Sequence, residues 1–190
     1  MIKSKKILVS GVSGQVGWEL IRSCSLLGNV MALDRKEFDL SSSEKIKNTI
    51  HQYRPDILIN AAAYTAVDKA ESEPELCSQI NAQAVGVMAE ECKKTNAVFI
   101  HFSTDYVFNG EKTSPYLETD PVGPINMYGK SKLDGEKYIQ SVGGDSFIYR
   151  VSWVYSHRGQ NFVKTMLRLA NQRSELKIVS DQWGTPTWAR

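Results

Sequence analysis

No stretch of this sequence approaches the about 18 uninterrupted apolar residues that a membrane helix needs, so no membrane partner is expected. Cysteine is scarce: Cys24, Cys77 and Cys92 are odd in number and form no Cys-x-x-Cys pair. That argues against a disulfide framework or a thiolate zinc site and fits reduced thiols. Of the three histidines, His51 and His157 show no partner pattern, and no cluster has metal-ligand spacing, so no metal site is expected from the residues. His101 lies inside an apolar run, where a satisfied structural histidine is the simpler reading. Basic runs stop at Lys5-Lys6 and Lys93-Lys94, and the formal net charge is only +2; nucleic acid is not an expected partner. Near the N-terminus Ile7-Leu8-Val9 is too short for the apolar core of a signal peptide, and the expected location is the cytoplasm.

What is present is a globular alternation. The chain has 190 residues, 42% of them apolar, enough for a real core and against intrinsic disorder. Short apolar runs at Ile7–Val9, Val30–Leu33, Ile57–Ile59, Val98–Phe102 and Phe147–Val151 read as buried strands. Amphipathic stretches at 14–27, 42–53, 75–95, 127–141 and 161–172 read as helices. Strand and helix in strict alternation predict an α/β, doubly wound parallel sheet with helices on both faces. Lys177-Ile178-Val179 is expected to add a sixth short strand. Between 103 and 126 turn signals crowd together, including Asn109-Gly110, Ser114-Pro115, Asp120-Pro121 and Gly123-Pro124. A long loop after a central strand is where such a sheet places chemistry, and a plain surface excursion is the alternative.

Gly11-Val12-Ser13-Gly14-Gln15-Val16-Gly17 follows the first strand and opens the first helix. Gly11, Gly14 and Gly17 suit a tight turn, close approach of backbone to a pyrophosphate, and close helix–sheet packing. The helix N-terminus then offers N–H groups to phosphate. Asp34 closes the second strand, where an acidic residue commonly binds the adenosine ribose and favours NAD; Arg35, next to it, would instead meet the 2′-phosphate of NADP. The two pull in opposite directions, so NADPH and NADH both remain open.

Tyr128-x-x-x-Lys132 is the only pair of its kind here. At i and i+4 on a helix its Cβ atoms lie about 5–6 Å apart, close enough for an ammonium to favour a phenolate. Ser103-Thr104-Asp105 follows the fourth strand, at the sheet edge where ligands bind, and Thr104 could hold a carbonyl beside the tyrosine; an ordinary turn is the alternative. Asn60-Ala61-Ala62-Ala63-Tyr64-Thr65 would let backbone approach a nicotinamide, or is simply Ala-rich packing. Trp153 follows the fifth strand, where it lines a pocket or fills core.

The glycine turn, Ser103-Thr104-Asp105-Tyr106-Val107-Phe108 and Tyr128-x-x-x-Lys132 together resemble the extended short-chain dehydrogenase/reductases, whose fold is the Rossmann type. Gly14–Leu20, Asn60–Glu71, Arg150–Tyr155 and Asp181-Gln182-Trp183-Gly184-Thr185-Pro186-Thr187 narrow the likeness to members that reduce dTDP-4-keto sugars for cell-surface polysaccharides. The resemblance implies a cofactor on Gly14, Gln15, Val16, Asp34, Asp39, Leu40, Ala63, Tyr64, Thr65 and Lys132, and a dTDP-sugar near Thr104, Asp105 and Trp153. It implies Tyr128 as proton donor, Lys132 as its partner, Thr104 as the hydroxyl that tunes the site, and hydride transfer from NADPH or NADH to a C4 ketone. Members can dimerise through a Mg2+ site, so a homodimer and that metal enter by resemblance alone. Members also continue past Gly184-Thr185-Pro186-Thr187 into a small substrate domain. The expected division is therefore a cofactor domain with the catalytic residues over 1–175 and the start of a largely missing substrate region over 176–190. A non-catalytic subunit on the same fold, like the regulatory subunit of methionine adenosyltransferase, and a related dTDP-sugar reductase or epimerase are the alternatives.

Overall fold

The computed structural model describes residues 4–190, so the first three residues of the domain expected over 1–175 lie outside the described residues. Five strands, β1 (Lys5–Ser10), β2 (Gly28–Leu33), β3 (Ile57–Asn60), β4 (Val98–Thr104) and β5 (Ser146–Val151), pair in the order β2-β1-β3-β4-β5, all parallel. Alternate residues point to opposite faces of a strand, and the core follows that rule. The aligned row Leu8, Leu58 and Phe99 packs against Ile46 and Ile50 of α2 (Ser43–Tyr53), Met88 of α5 (Ala84–Thr95) and Ile139 of α6 (Met127–Val142). On the other face Ile7, Val9 and Ile59 meet Leu20 and Cys24 of α1 (Gln15–Cys24). The chain winds outward in both directions from β1 and β3, so a switch point opens between their C-terminal ends.

Local chemistry sets the helix ends. Ser42 caps α2 by accepting from Lys45 N–H at 3.3 Å, and Arg54 ends it in the left-handed region at φ +49°. Asn126 caps α6 by accepting from Gly129 N–H at 2.8 Å, while Met127 N–H donates to Glu71 Oε1 at 2.7 Å. Caps of this kind satisfy first-turn donors that would otherwise lack partners.

Three expectations need correction. The first helix stops at Cys24 rather than 27, because the chain must turn into Gly28, whose Cβ would lie 2.2 Å from the Lys5 carbonyl oxygen. The helix expected over 75–95 is α4 (Pro74–Ser78), a π-helical turn (Gln79–Gln83) and α5 in succession, preceded by the one-turn α3 (Val67–Ala70). The π turn sits where Asn81 accepts from Tyr64 N–H at 2.8 Å and donates to the Tyr64 carbonyl and Ser131 Oγ, both at 3.0 Å. Lys177-Ile178-Val179 forms no strand. A strand needs a neighbour to pair with, and among the described residues that run has none; the late pairing is instead β6 (Val154–Tyr155) with β7 (Thr187–Trp188). Helix α7 (Phe162–Ala170) appears as expected and buries no residue.

Helix α6 lies close to its neighbours through glycine. A Cβ on Gly135 would sit 2.3 Å from the Asn81 carbonyl oxygen, and one on Gly129 would sit 2.2 Å from that of Tyr106. Because the obstacle is backbone, neither side can yield cheaply. Gly135→Ala is expected to destabilise the fold by about 1–3 kcal/mol, the usual cost of overpacking; an unchanged urea midpoint would show that α6 can move away.

Candidate active site

The glycine turn stands at the C-terminal end of β1. Gly11 has φ +72°, and a Cβ there would lie 2.6 Å from the Ala62 nitrogen, so the turn is pressed against the Ala61-Ala62 backbone at the end of β3. A Cβ on Gly17 would lie 2.3 Å from the Gly11 carbonyl oxygen. Gly14 differs: it is exposed, and a Cβ there would meet only the Gly11 carbonyl oxygen at 3.3 Å. It starts α1 without a side-chain cap, so no side chain competes for the first-turn N–H groups, which suits the phosphates of a dinucleotide. Gln15 is tethered sideways, donating to the Val154 carbonyl at 3.4 Å and accepting from Asn161 at 2.9 Å.

The remaining cofactor candidates are placed along the same edge. Asp34 follows β2 and folds onto its own turn, its Oδ1 accepting from Lys36 N–H at 2.7 Å, with Arg35 exposed beside it. Asp39 accepts from Ser41 N–H and Oγ, which hold its carboxyl below the usual range. Leu40 is buried in the larger core. Ala63 and Tyr64 are partly buried and Thr65 is exposed. The Tyr64 hydroxyl donates to Glu73 at 2.7 Å, and partial desolvation with that carboxylate pushes it up to about 12.

The catalytic candidates meet at the C-terminal end of β4. Thr104 ends the strand and accepts from Tyr106 N–H at 3.2 Å, capping the 3-10 turn Asp105–Val107. Tyr128 lies in the first turn of α6, edge-on to Tyr106 with ring centroids 5.7 Å apart. Burial pushes its phenol up to about 12, while the Thr104 hydroxyl, in hydrogen-bond reach, pulls it back toward ionisation. One turn on, Lys132 is 1% exposed, donates from Nζ to the Phe102 carbonyl at 2.6 Å, and lies 3.1 Å from His101 Nε2. Burial lowers it to about 8 against the pull of Glu136 and Cys77. Asp105 is raised by burial, an effect offset by hydrogen bonds that include Thr104 and Ser152.

Trp153 sits at the end of β5 with φ +46°, a region that bulky residues rarely adopt. The 184–187 segment holds it there. A Cβ on Gly184 would lie 2.8 Å from the indole Nε1, Ser152 Oγ donates to the Thr185 carbonyl at 2.9 Å, and Thr187 N–H donates to the Trp153 carbonyl at 3.4 Å.

This constellation has close counterparts. The family model described as "RmlD substrate binding domain" matches residues 5–190. The chain belongs to that RmlD family. It is 54% identical over 185 residues to a dTDP-4-dehydrorhamnose reductase of Burkholderia thailandensis, covering 97% of this chain and 62% of that protein. To the protein of that name from Salmonella typhimurium it is 51% identical over 187 residues, 96% of this chain and 62% of the other. A crystal structure of dTDP-4-dehydrorhamnose reductase from Bacillus anthracis in complex with NADP superposes with a TM-score of 0.94 at 36% identity, over 98% of this chain and 66% of that one. The chain thus spans a little under two thirds of the length of the curated relatives it matches.

Within this RmlD-family chain the structure brings Thr104, Asp105, Tyr128 and Lys132 together at one sheet edge, beside the switch point that carries Gly11 to Gly17. Trp153 is more exposed, and its neighbour Ser152 lies in hydrogen-bond reach of Asp105. Among the described residues no group of three or more His, Cys, Asp or Glu converges as metal ligands. The sequence pattern gave His101 only a structural role and did not mark Glu136. His101 is satisfied as expected of a structural histidine, but one partner is Lys132. Glu136 follows Lys132 by one helical turn, and that spacing was a readable signal. It accepts from Arg150 Nε at 3.0 Å and Nη2 at 2.7 Å, and from Ser103 Oγ at 2.5 Å, binding α6, β4 and β5 together just behind Thr104. Glu136→Gln keeps the shape and removes the charge opposite Arg150. The expected cost is about 2–4 kcal/mol in chemical denaturation; a cost near zero would mean that water replaces the carboxylate.

Proposed function

We propose that this chain is the cofactor-binding and catalytic portion of a reductase that converts dTDP-4-dehydro-L-rhamnose to dTDP-L-rhamnose for cell-surface polysaccharide, using NADPH or NADH. The observation that carries the reading is the convergence of Thr104, Tyr128 and the buried Lys132 beside an open, uncapped glycine turn. The names of its relatives and the NADP in the Bacillus anthracis structure support the choice of substrate and cofactor.

When bound, the dinucleotide supplies the hydride. The chain supplies the rest. Backbone of Gly11, Gly14, Gln15, Val16 and Gly17 faces the pyrophosphate; Asp34, Arg35, Asp39 and Leu40 border the adenosine end; Ala63, Tyr64 and Thr65 lie along the nicotinamide half, with Lys132 toward its ribose. Tyr128 gives its proton to the substrate oxygen as negative charge develops there, and the ketone leaves as an alcohol. Thr104 and Asp105 hold the sugar beside that hydroxyl, and Trp153 borders it from the far side. Residues 1–175 form the cofactor domain and 176–190 begin the substrate region. No helix among the described residues is long and apolar enough to cross a membrane, and the proposed setting is the cytoplasm, as a homodimer.

NADPH and NADH are titrated into the chain, dTDP-4-dehydro-L-rhamnose is added, and nicotinamide absorbance is followed. Binding followed by loss of absorbance is the expected result. Failure of both dinucleotides to bind would overturn the reading. Binding without oxidation, even after the C-terminal portion of a relative is supplied, would also overturn it, in favour of a non-catalytic regulatory subunit. In the active system Tyr128→Phe is expected to keep cofactor affinity within about twofold and lose about 10²–10⁴-fold in turnover, the usual worth of a positioned proton donor. Unchanged turnover would remove Tyr128 from that role.

A further inference from the structure

The turn-rich segment that ends in Gly184-Thr185-Pro186-Thr187 has no part in the hydride or proton steps, yet it grips the chain on both sides of Trp153. Ser152 Oγ donates to the Thr185 carbonyl at 2.9 Å and accepts from Thr185 N–H at 3.3 Å. Thr187 N–H donates to the Trp153 carbonyl at 3.4 Å, and Ala189 N–H to that of Tyr155 at 3.1 Å. β7 thus lies parallel along β6, with Thr187 beside Val154 and Trp188 beside Tyr155. The grip has something to hold. A φ of +46° at Trp153 lies in a region that costs a bulky residue on the order of 1–3 kcal/mol and persists only where the surroundings impose it.

Gly184 is where this strap meets the indole. A Cβ there would lie 2.8 Å from Nε1, 2.9 Å from Cε2 and 3.3 Å from Cδ1 of Trp153, so the pyrrole side of the ring rests on a residue with no side chain. Phe162, at the start of α7, flanks the indole with ring centroids 6.0 Å apart. The ring is still 45% exposed, so its neighbours fix it without burying it. An exposed aromatic face already held in one pose binds a ligand at little further cost in side-chain freedom. Ser152 also lies in hydrogen-bond reach of Asp105, so a single side chain joins the strap to the catalytic cluster.

We propose that Gly184 is a positioning residue: it sets the pose of the Trp153 indole, and the fixed indole determines how tightly the site holds the sugar of a nucleotide-sugar. The identity of that ligand rests on the reductase reading. A sugar ring carries C–H bonds on its faces, and an indole laid against one of them buries that apolar area; a ring turned aside buries less. Any side chain at 184 must displace either the ring or the strap. The ring is half exposed and free to swing, whereas the strap is fastened by the four hydrogen bonds to Ser152, Trp153 and Tyr155. The ring therefore yields first, and a substitution at 184 alters the site while leaving the stability of the fold nearly unchanged.

In the full chain labelled with 5-fluorotryptophan, the fluorine resonances belong to Trp18, Trp153, Trp183 and Trp188, and Trp153→Phe assigns that of Trp153. Gly184→Ala is expected to move the Trp153 resonance, leave that of Trp18 in place and keep the urea midpoint. An unmoved Trp153 resonance would mean that the strap yields instead, and overturns the proposal. Turnover is measured with the C-terminal portion of a relative supplied. There Gly184→Ala is expected to raise KM for dTDP-4-dehydro-L-rhamnose about tenfold, the scale of a contact coupling, with kcat within about twofold. In the Trp153→Phe background a smaller ring leaves room for the methyl, and the same substitution should change KM by less than about twofold. Equal effects in both backgrounds, or a fall in kcat with KM kept, would show that Gly184 does not act through the indole, and overturns the proposal. A wild-type chain that neither binds dinucleotide nor turns over sinks the reductase reading instead, and the fluorine spectrum still decides whether the strap sets the ring.

Discussion

Burying the amine of Lys132 is the constraint around which the site is arranged. Taking a lysine head group out of water costs several kcal/mol if it stays charged, and a site that does so must surround the nitrogen with partners. Here the partners come from two elements. β4 contributes the Phe102 carbonyl and His101, and α6 contributes Glu136 one turn beyond Lys132. Such contacts exist only if α6 lies close to the end of β4, and that closeness depends on Gly129 and Gly135, where a side chain would strike backbone. Helix placement, lysine burial and the position of Tyr128 are thus one structural decision.

The same helix is held from behind by charge. Glu136, Arg150 and Ser103 tie α6 to β4 and β5, and the Arg150 guanidinium also lies over the Phe108 ring, 4.9 Å from its centroid. Breaking one partner of such a buried set leaves the other desolvated, so the arrangement resists loosening. On the opposite side Asn81 uses both ends of its amide on the Tyr64 backbone while reaching Ser131 on α6. Single π turns within α-helices occur frequently at functional sites. Here the turn lets one asparagine join the segment proposed beside the nicotinamide to the helix proposed to carry the proton donor.

Much of this was legible in the amino-acid pattern. Apolar runs and intervening amphipathic stretches place the five sheet strands and the larger helices, because a central strand buried on both faces has little choice but Ile, Leu, Val and Phe. The expectation of burial fails for β5, which lies at the sheet edge and leaves Phe147 and Tyr149 about half exposed. The glycine turn and Tyr128-x-x-x-Lys132 were readable because their spacing carries the chemistry. Other features depend on meetings between distant residues. His101 looks like any polar interruption of a buried strand until the register places Asn60 beside it. The π turn and the left-handed backbone of Trp153 leave no local mark, since each is imposed by what packs against it. Lys177-Ile178-Val179 has the composition of a strand, yet a strand is made by its neighbour, and composition carries no information about that.

The electrostatics of Tyr128 and Lys132 are best understood as a pair. Burial is the largest influence on both and moves them oppositely on the pH scale, the phenol up to about 12 and the amine down to about 8 against the pull of Glu136 and Cys77. Near neutral pH the amine is therefore still largely the ammonium while the phenol keeps its proton, so a cation stands one helical turn from a group that has a proton to give. Loss of that proton would leave a phenolate beside the ammonium, which is why the two titrations are a property of the pair rather than of either residue.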